Sequence, residues 1–238
     1  MTLPHDVPKP VADGVWIVDS TMRVLGAPLP IRMTVLRLAD GGLWVHSPTK
    51  YRPTLAGAVA ALGPIRHLVA PDTAHWTHLQ PWQAAFPEAR LWAPHGVLER
   101  ARDQGTALRG DGTLGDAPPP DWDGQIDQAL FQGRNFVEAA FFHRPSRSLV
   151  LTDTVQALET AKLPLPMRVF ARLSGVAAPA GGTPRYLRLI LAFHRAHNRA
   201  VAERLLALDP VRVIFAHGAW YEAEGAARLR RALGWLVR

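Results

Sequence analysis

Two successive runs of strands, each passing into helices, predict an α/β fold with two sheets packed face to face and helices outside. Three observations carry this expectation. Short apolar strands dominate the first half and alternate with helical stretches after an opening hairpin. A Gly-, Asp- and Pro-rich stretch at 103–123 separates that half from a second group of strands. Several apolar strands end on His or Asp, where converging side chains build sites in α/β proteins.

The elements follow in order. After a Pro-rich surface start, 14–19 (GVWIVD) reads as the first strand. The alternation at 31–38 (IRMTVLRL) gives a strand with one buried face, and Asp40, Gly41 and Gly42 turn it into a hairpin partner at 43–47. The Ala- and Leu-bearing stretch 53–62 is a helix stopped by Gly63 and Pro64. Residues 66–70 form a strand that runs through a loop into a helix expected to begin near His75, so that His75 and His78 share one helical face. A helix at 79–86, a strand at 91–93 and a helix at 95–102 complete this half. Strands are then expected at 126–131, 136–142 and 148–152, the last ending on Asp153. The segment 155–184 is Pro- and Gly-rich yet too apolar for a free linker, and is expected to pack over something without regular structure throughout. Helices at 184–193 and 195–208, a buried strand at 211–215 and one amphipathic terminal helix at 221–237 close the chain, which is read as a single domain over 1–238.

Composition narrows the chemistry. Hydrophobic residues make up 48% and charged residues 20% of 238, the balance of a folded globular chain rather than a disordered one. There is no cysteine, which excludes disulfides, thiolate metal sites and cysteine nucleophiles. The net charge of +7 admits an anionic partner, but the Arg residues read as dispersed and without aromatic interleaving, which disfavours nucleic acid. No basic start followed by an apolar run is present, and no stretch reaches the roughly 20 residues needed to span a bilayer, so a cytoplasmic protein without a membrane partner is expected. Neither a nucleophile elbow nor a phosphate-binding loop occurs.

The strand-end residues are His46, His75 with His78, Asp153 and His217. Three His and one Asp form an ordinary ligand set for a borderline divalent ion, although a lone strand-end His is more often structural. Asp72 lies in the loop before His75, and Glu138 points to one face of its strand; either is a candidate proton acceptor if it lies near.

Residues 149–153 (LVLTD) resemble the strand ending in the metal-bridging Asp of the metallo-β-lactamase superfamily. Residues 213–218 (VIFAHG) are similar to that superfamily's last motif, a strand ending in a His-Gly pair. The resemblance covers nearly the whole chain and implies an αββα sandwich of two mixed sheets, in a divergent, uncharacterised branch. The superfamily signature His-x-His-x-Asp-His would fall on 71–76 (PDTAHW), placing Pro71 and Thr73 where two imidazoles are expected, His75 at the Asp and Trp76 at the last His. The third-motif His would fall near Arg134 or Asn135. One metal site is therefore lost. The other is implied to survive, with His75, His78, Asp153 and His217 as ligands and His46 as a neighbour able to complete it.

The expected activity is hydrolysis by water activated on one divalent ion, zinc before manganese or iron, with Asp153 as ligand and orienting group. The apolar segment 155–184 is cast as a lid, implying a partly hydrophobic small substrate such as an ester, lactone or amide. The rivals are a protein that keeps the fold without hydrolysis and, more remotely, a nuclease. Oligomeric state is not legible in the sequence.

Overall fold

The computed structural model describes residues 3–24 and 26–237. Eleven strands and eight α-helices follow one another among them. The first half contains Lys9–Ala12 (β1), Val15–Val24 (β2), Ala27–Arg37 (β3), Leu43–His46 (β4), Pro53–Ala60 (α1), Ile65–Val69 (β5), Leu79–Ala85 (α2), Arg90–Pro94 (β6), Val97–Asp103 (α3) and Gly112–Leu114 (β7). The second contains Ile126–Gly133 (β8), Phe136–His143 (β9), Ser148–Val150 (β10), Leu165–Leu173 (α4), Arg185–Leu191 (α5), Arg195–Ala207 (α6), Arg212–Ile214 (β11), Gly225–Ala232 (α7) and Gly234–Val237 (α8).

One sheet holds seven strands in order β1 to β7, and the other four in the order β11-β10-β9-β8. Both are mixed. The first four strands pair antiparallel and the next three add in parallel, with helices in the β4–β5, β5–β6 and β6–β7 connections. In the second sheet β8, β9 and β10 are antiparallel, and β11 joins β10 in parallel after the helical excursion.

Side-chain alternation makes the layers. Even positions of β4 and β6, such as Trp44 and Trp92, and Val69 of β5 turn between the sheets and meet Trp122, Ala139, Phe141 and Ile214. Odd positions of β3, β4 and β6, among them Met33, Val35, Val45 and Leu91, pack with Leu55, Val59 and Trp82 of the outer helices. On the far side Phe131, Ala140 and Phe142 pack with Leu205, Leu229 and Leu236. Three apolar layers between four layers of backbone make an αββα sandwich.

The structure departs from expectation in four places. Residues 9–12 of the Pro-rich start form β1, an edge strand in which Pro10 is tolerated because an edge need not donate on both sides. The loop at 103–123 contains β7, where Gly112 lets the backbone lie on the Trp92 ring; a Cβ there would sit 2.1 Å from it. Residues 73–78 are bends and turns, not helix, because the Asp72 carboxylate accepts the N–H groups of Ala74 and His75 and fixes a local turn. Segment 155–184 is, as expected, not regular throughout, with the helix α4 set among turns and bends. The terminal helix is two, α7 and α8, broken at Leu233.

Candidate metal centre

His75 and His217 project from loops following β5 and β11, and Asp153 from the loop following β10. These chain exits lie at one end of the sandwich. Each loop is fixed by contacts a sequence pattern does not reveal. The Asp72–Glu138 bridge and the Ala139 N–H to Pro71 carbonyl bond (2.8 Å) stitch the His75 loop to β9. Glu138 then accepts the N–H groups of Thr152, Asp153 and Thr154 at 2.7–2.9 Å and the Thr154 hydroxyl at 2.8 Å, shaping the loop that presents Asp153. At β11, the buried Arg32 guanidinium pairs with Asp19 at 2.6 Å and donates to the Phe215 carbonyl at 2.7 Å, drawing the strand exit against β3. Gly218 has φ +98°, and a Cβ there would meet the Ala157 carbonyl oxygen at 1.9 Å; the His-Gly pair reflects this close backbone approach.

The donor atoms converge. His75 Nε2 and His217 Nε2 are 3.2 Å apart, and the Asp153 Oδ1 carboxylate oxygen lies 3.1 Å from the second and 3.7 Å from the first. The other ring nitrogens are engaged behind them. His217 Nδ1 is 2.7 Å from the Pro30 carbonyl oxygen, which only accepts, so Nδ1 carries the proton and Nε2 of the neutral ring offers a lone pair inward. His75 Nδ1 meets the Ser47 hydroxyl at 2.6 Å. Asp153 Oδ1 also accepts the Gln156 side-chain amide at 3.0 Å.

Two inward imidazole nitrogens and a carboxylate oxygen suit a borderline divalent ion. Their separations bracket the edge, about 3.3 Å, of a tetrahedron whose vertices lie about 2.0–2.1 Å from a central ion. Among the described residues, these three are the His and acidic side chains that could jointly hold a metal.

Electrostatics point the same way. Asp72 and Glu138 are fully buried, and among the described residues no Lys or Arg forms an ion pair with either or with Asp153. Burial, followed by the charges of Asp72 and Asp153, raises the Glu138 pKa to about 7. Burial also raises that of Asp72. For His75, burial disfavours the imidazolium, but Asp72 and Asp153, and then Glu138, outweigh it and raise the pKa to about 9. Burial opposes ionisation of Asp153 too, yet His75 and His217 hold its carboxyl well below the usual range. The centre is built to receive positive charge.

The remaining sequence candidates lie elsewhere. His46 is buried between the sheets, stacked on Trp44 at 5.5 Å and edge-on to Phe141, because it shares the inward parity of Trp44. Among the described residues its Nε2 has no hydrogen-bond partner, and burial followed by the charge of His75 pushes its pKa well below the ordinary value. His78 precedes α2 and lines the cavity, outside the three-donor set. Glu138 directs both oxygens to loop donors, and Asp72 directs Oδ1 to two main-chain N–H groups.

Above the donors lies a cavity of about 420 Å³, within the usual size range of small-molecule sites. Met22, Leu29 and Ile31 from the β2–β3 hairpin form one wall, and Leu158, Met167 and Phe170 the other. Ser47, Pro30 and Gln156 were not legible as site residues. Ser47 leaves one signal, following a strand-end His with a left-handed φ of +51°, but that signal lies in the backbone.

This architecture is the metallo-β-lactamase fold. DIM-1 metallo-β-lactamase, in a structure exposed to ceftazidime, is 15% identical over 98% of this chain and 97% of that one, with a TM-score of 0.67. TMB-1 is 12% identical over 99% and 100% (TM-score 0.66), and the mono-zinc form of FIM-1 from Pseudomonas aeruginosa is 11% identical over 98% and 96% (TM-score 0.63). Within that fold, the chain belongs to the family described as a domain of unknown function (DUF4336), whose model matches residues 12–172. No match was found among curated proteins.

Proposed function

We propose that the chain is a metal-dependent hydrolase using a single divalent ion held by His75, Asp153 and His217, acting on a partly hydrophobic ester, lactone or amide. The observation that carries this reading is the convergence of two inward Nε2 atoms and one carboxylate oxygen, 3.1–3.7 Å apart, on the wall of an apolar cavity. Three protein ligands leave a coordination position open, as catalytic rather than structural sites do. Zinc is the first choice, and manganese or iron accepts the same donors. When bound, the ion supplies Lewis acidity and acidifies water, the chemistry of metal-assisted hydrolysis. FIM-1 was solved in a mono-zinc form, so this fold accommodates one ion.

The chain's own residues do the rest. Pro30 and Ser47 orient the two imidazoles through their outer nitrogens. Glu138 and Asp72 act as positioning residues, since their oxygens hold the loops that present Asp153 and His75. Leu29, Phe170 and Met167 shield the reacting groups from water and receive the apolar portion of the substrate. The segment at 155–184 serves as the cover of one domain spanning 1–238.

The test is turnover of ester, lactone and amide panels by chelated and zinc-reconstituted protein, alongside His217→Ala. Zinc-dependent hydrolysis of one panel, lost in the variant with its circular dichroism unchanged, is expected. Pro71 and Thr73, standing where the superfamily resemblance places imidazoles, favour a second reading, a binding protein without hydrolysis. Zinc binding with no turnover in any panel would select it.

A further inference from the structure

The net charge of the chain is localised. Seven of its 27 Lys and Arg, and none of its 20 Asp and Glu, lie between Glu159 and Glu203, so the remainder is balanced at 20 of each. The basic residues are therefore not evenly dispersed. Lys162 pairs with Glu159 at 2.7 Å and Arg199 with Glu203 at 2.8 Å at the two ends of this stretch, and the other five, Arg168, Arg172, Arg185, Arg188 and Arg195, lie on α4, α5 and the start of α6.

The same segment concentrates the exposed apolar surface. On α4, Leu165, Val169 and Leu173 repeat every four residues along one stripe, with Leu165 71% and Leu173 66% exposed. On α5 and the turn after it, Leu189 is 72% and Phe193 64% exposed. The two stripes meet where the Phe170 and Tyr186 rings stand 6.4 Å apart, and both of these residues also line the cavity. Only Ala171 of the nine residues of α4 is fully buried. Arg168, Arg188 and Arg195 give hydrogen bonds to main-chain carbonyls, leaving their charges uncompensated by those contacts. An exposed apolar face continuous with a cavity and flanked by Arg is the pattern of a helix lying in a bilayer interface.

We propose that α4 and α5 dock on an anionic lipid surface, with the cavity mouth turned toward the membrane. The charge selects this occupant. A second copy would bring like excesses together, and exposed Leu and Val offer nucleic acid no stacking planes. No helix of the described residues is long and apolar enough to cross a membrane, and interfacial docking requires none. Resting on the hydrolase reading, the substrate class becomes an amphiphile with an acyl chain, entering past Phe170 and Met167.

The test is co-sedimentation of the full chain with vesicles of phosphatidylcholine alone or mixed with phosphatidylserine, without added metal or substrate. Binding to the mixed vesicles, at least tenfold weaker on phosphatidylcholine alone and weakened by salt, is expected. Leu165→Gln/Leu173→Gln/Leu189→Gln and Arg172→Glu should each reduce it about tenfold or more with unchanged melting, since these side chains are exposed. Asp153→Asn should bind vesicles like the wild type, so failure of the hydrolase reading leaves this result standing. No binding to phosphatidylserine vesicles, binding unaffected by the triple variant, or a dimer dispersed by it would overturn the proposal, the last identifying a second copy as the occupant.

Discussion

Replacing Glu138 by Gln alters one buried side chain and tests how the centre is held. The carboxylate serves four donors, Thr152 N–H through Oε1 and Asp153 N–H, Thr154 N–H and the Thr154 hydroxyl through Oε2. An amide has one acceptor oxygen. If it faces the three donors, the NH2 group faces Thr152 N–H, and in the reverse orientation three donors lose their partner. At least one buried N–H is left unsatisfied, costing about 1–3 kcal/mol, offset in part by removing a charge buried beside Asp72 and Asp153. At about 2–4 °C per kcal/mol for a chain of this size, melting should fall by up to roughly 10 °C. Because the same bonds present Asp153, zinc affinity should fall about 10–100-fold, the usual effect of disturbing an outer partner of a ligand. Scanning calorimetry of the apo-protein and titration with zinc give the two numbers. A lower melting temperature with unchanged zinc affinity would refute the positioning role.

Three further outcomes follow from the same contacts. Ser47→Ala removes the hydroxyl partner of His75 Nδ1 and should lower zinc affinity about 10–100-fold with little change in melting, read by titration and calorimetry. Arg32→Ala removes one of the two cations paired with buried Asp19 among the described residues, Lys9 remaining at 2.6 Å, and should destabilise the fold by about 1–3 kcal/mol in denaturant titration. Burial lowers the His143 pKa to about 4, whereas the unfolded chain takes up that proton near pH 6.5, so between these values the unfolded state binds more protons and stability rises with pH. Stability should therefore fall as pH drops from about 6.5 to 4, and His143→Gln should flatten that limb in urea melts.

Much of the fold was legible because period-2 alternation and loop punctuation are local signals. Strands 3 to 6 and 8 to 10 lie within a few residues of their expected positions, as the parities of Met33 and Trp44 required. The missed strands β1 and β7 are short edge elements whose pairing partners come from tertiary structure. In the candidate site, Asp153 and His217 were signalled by the polar residue closing an apolar strand. His75 was signalled too, but on a helix that the structure replaces by an Asp72-capped turn. Ser47, the Pro30 carbonyl and the Glu138 clamp were hidden because each acts across 28 to 187 residues of sequence or through the main chain. His46 was drawn into the ligand set by its strand-end place, whereas its parity buries it against Trp44 and Phe141.

Titration of metal-free protein with zinc tests the central claim most directly. The structure predicts one ion per chain, with affinity lowered at least 100-fold in His75→Ala, Asp153→Ala and His217→Ala but within a few-fold of wild type in His78→Ala. No zinc binding by the wild type, or affinity indifferent to loss of His75 and His217, would contradict it.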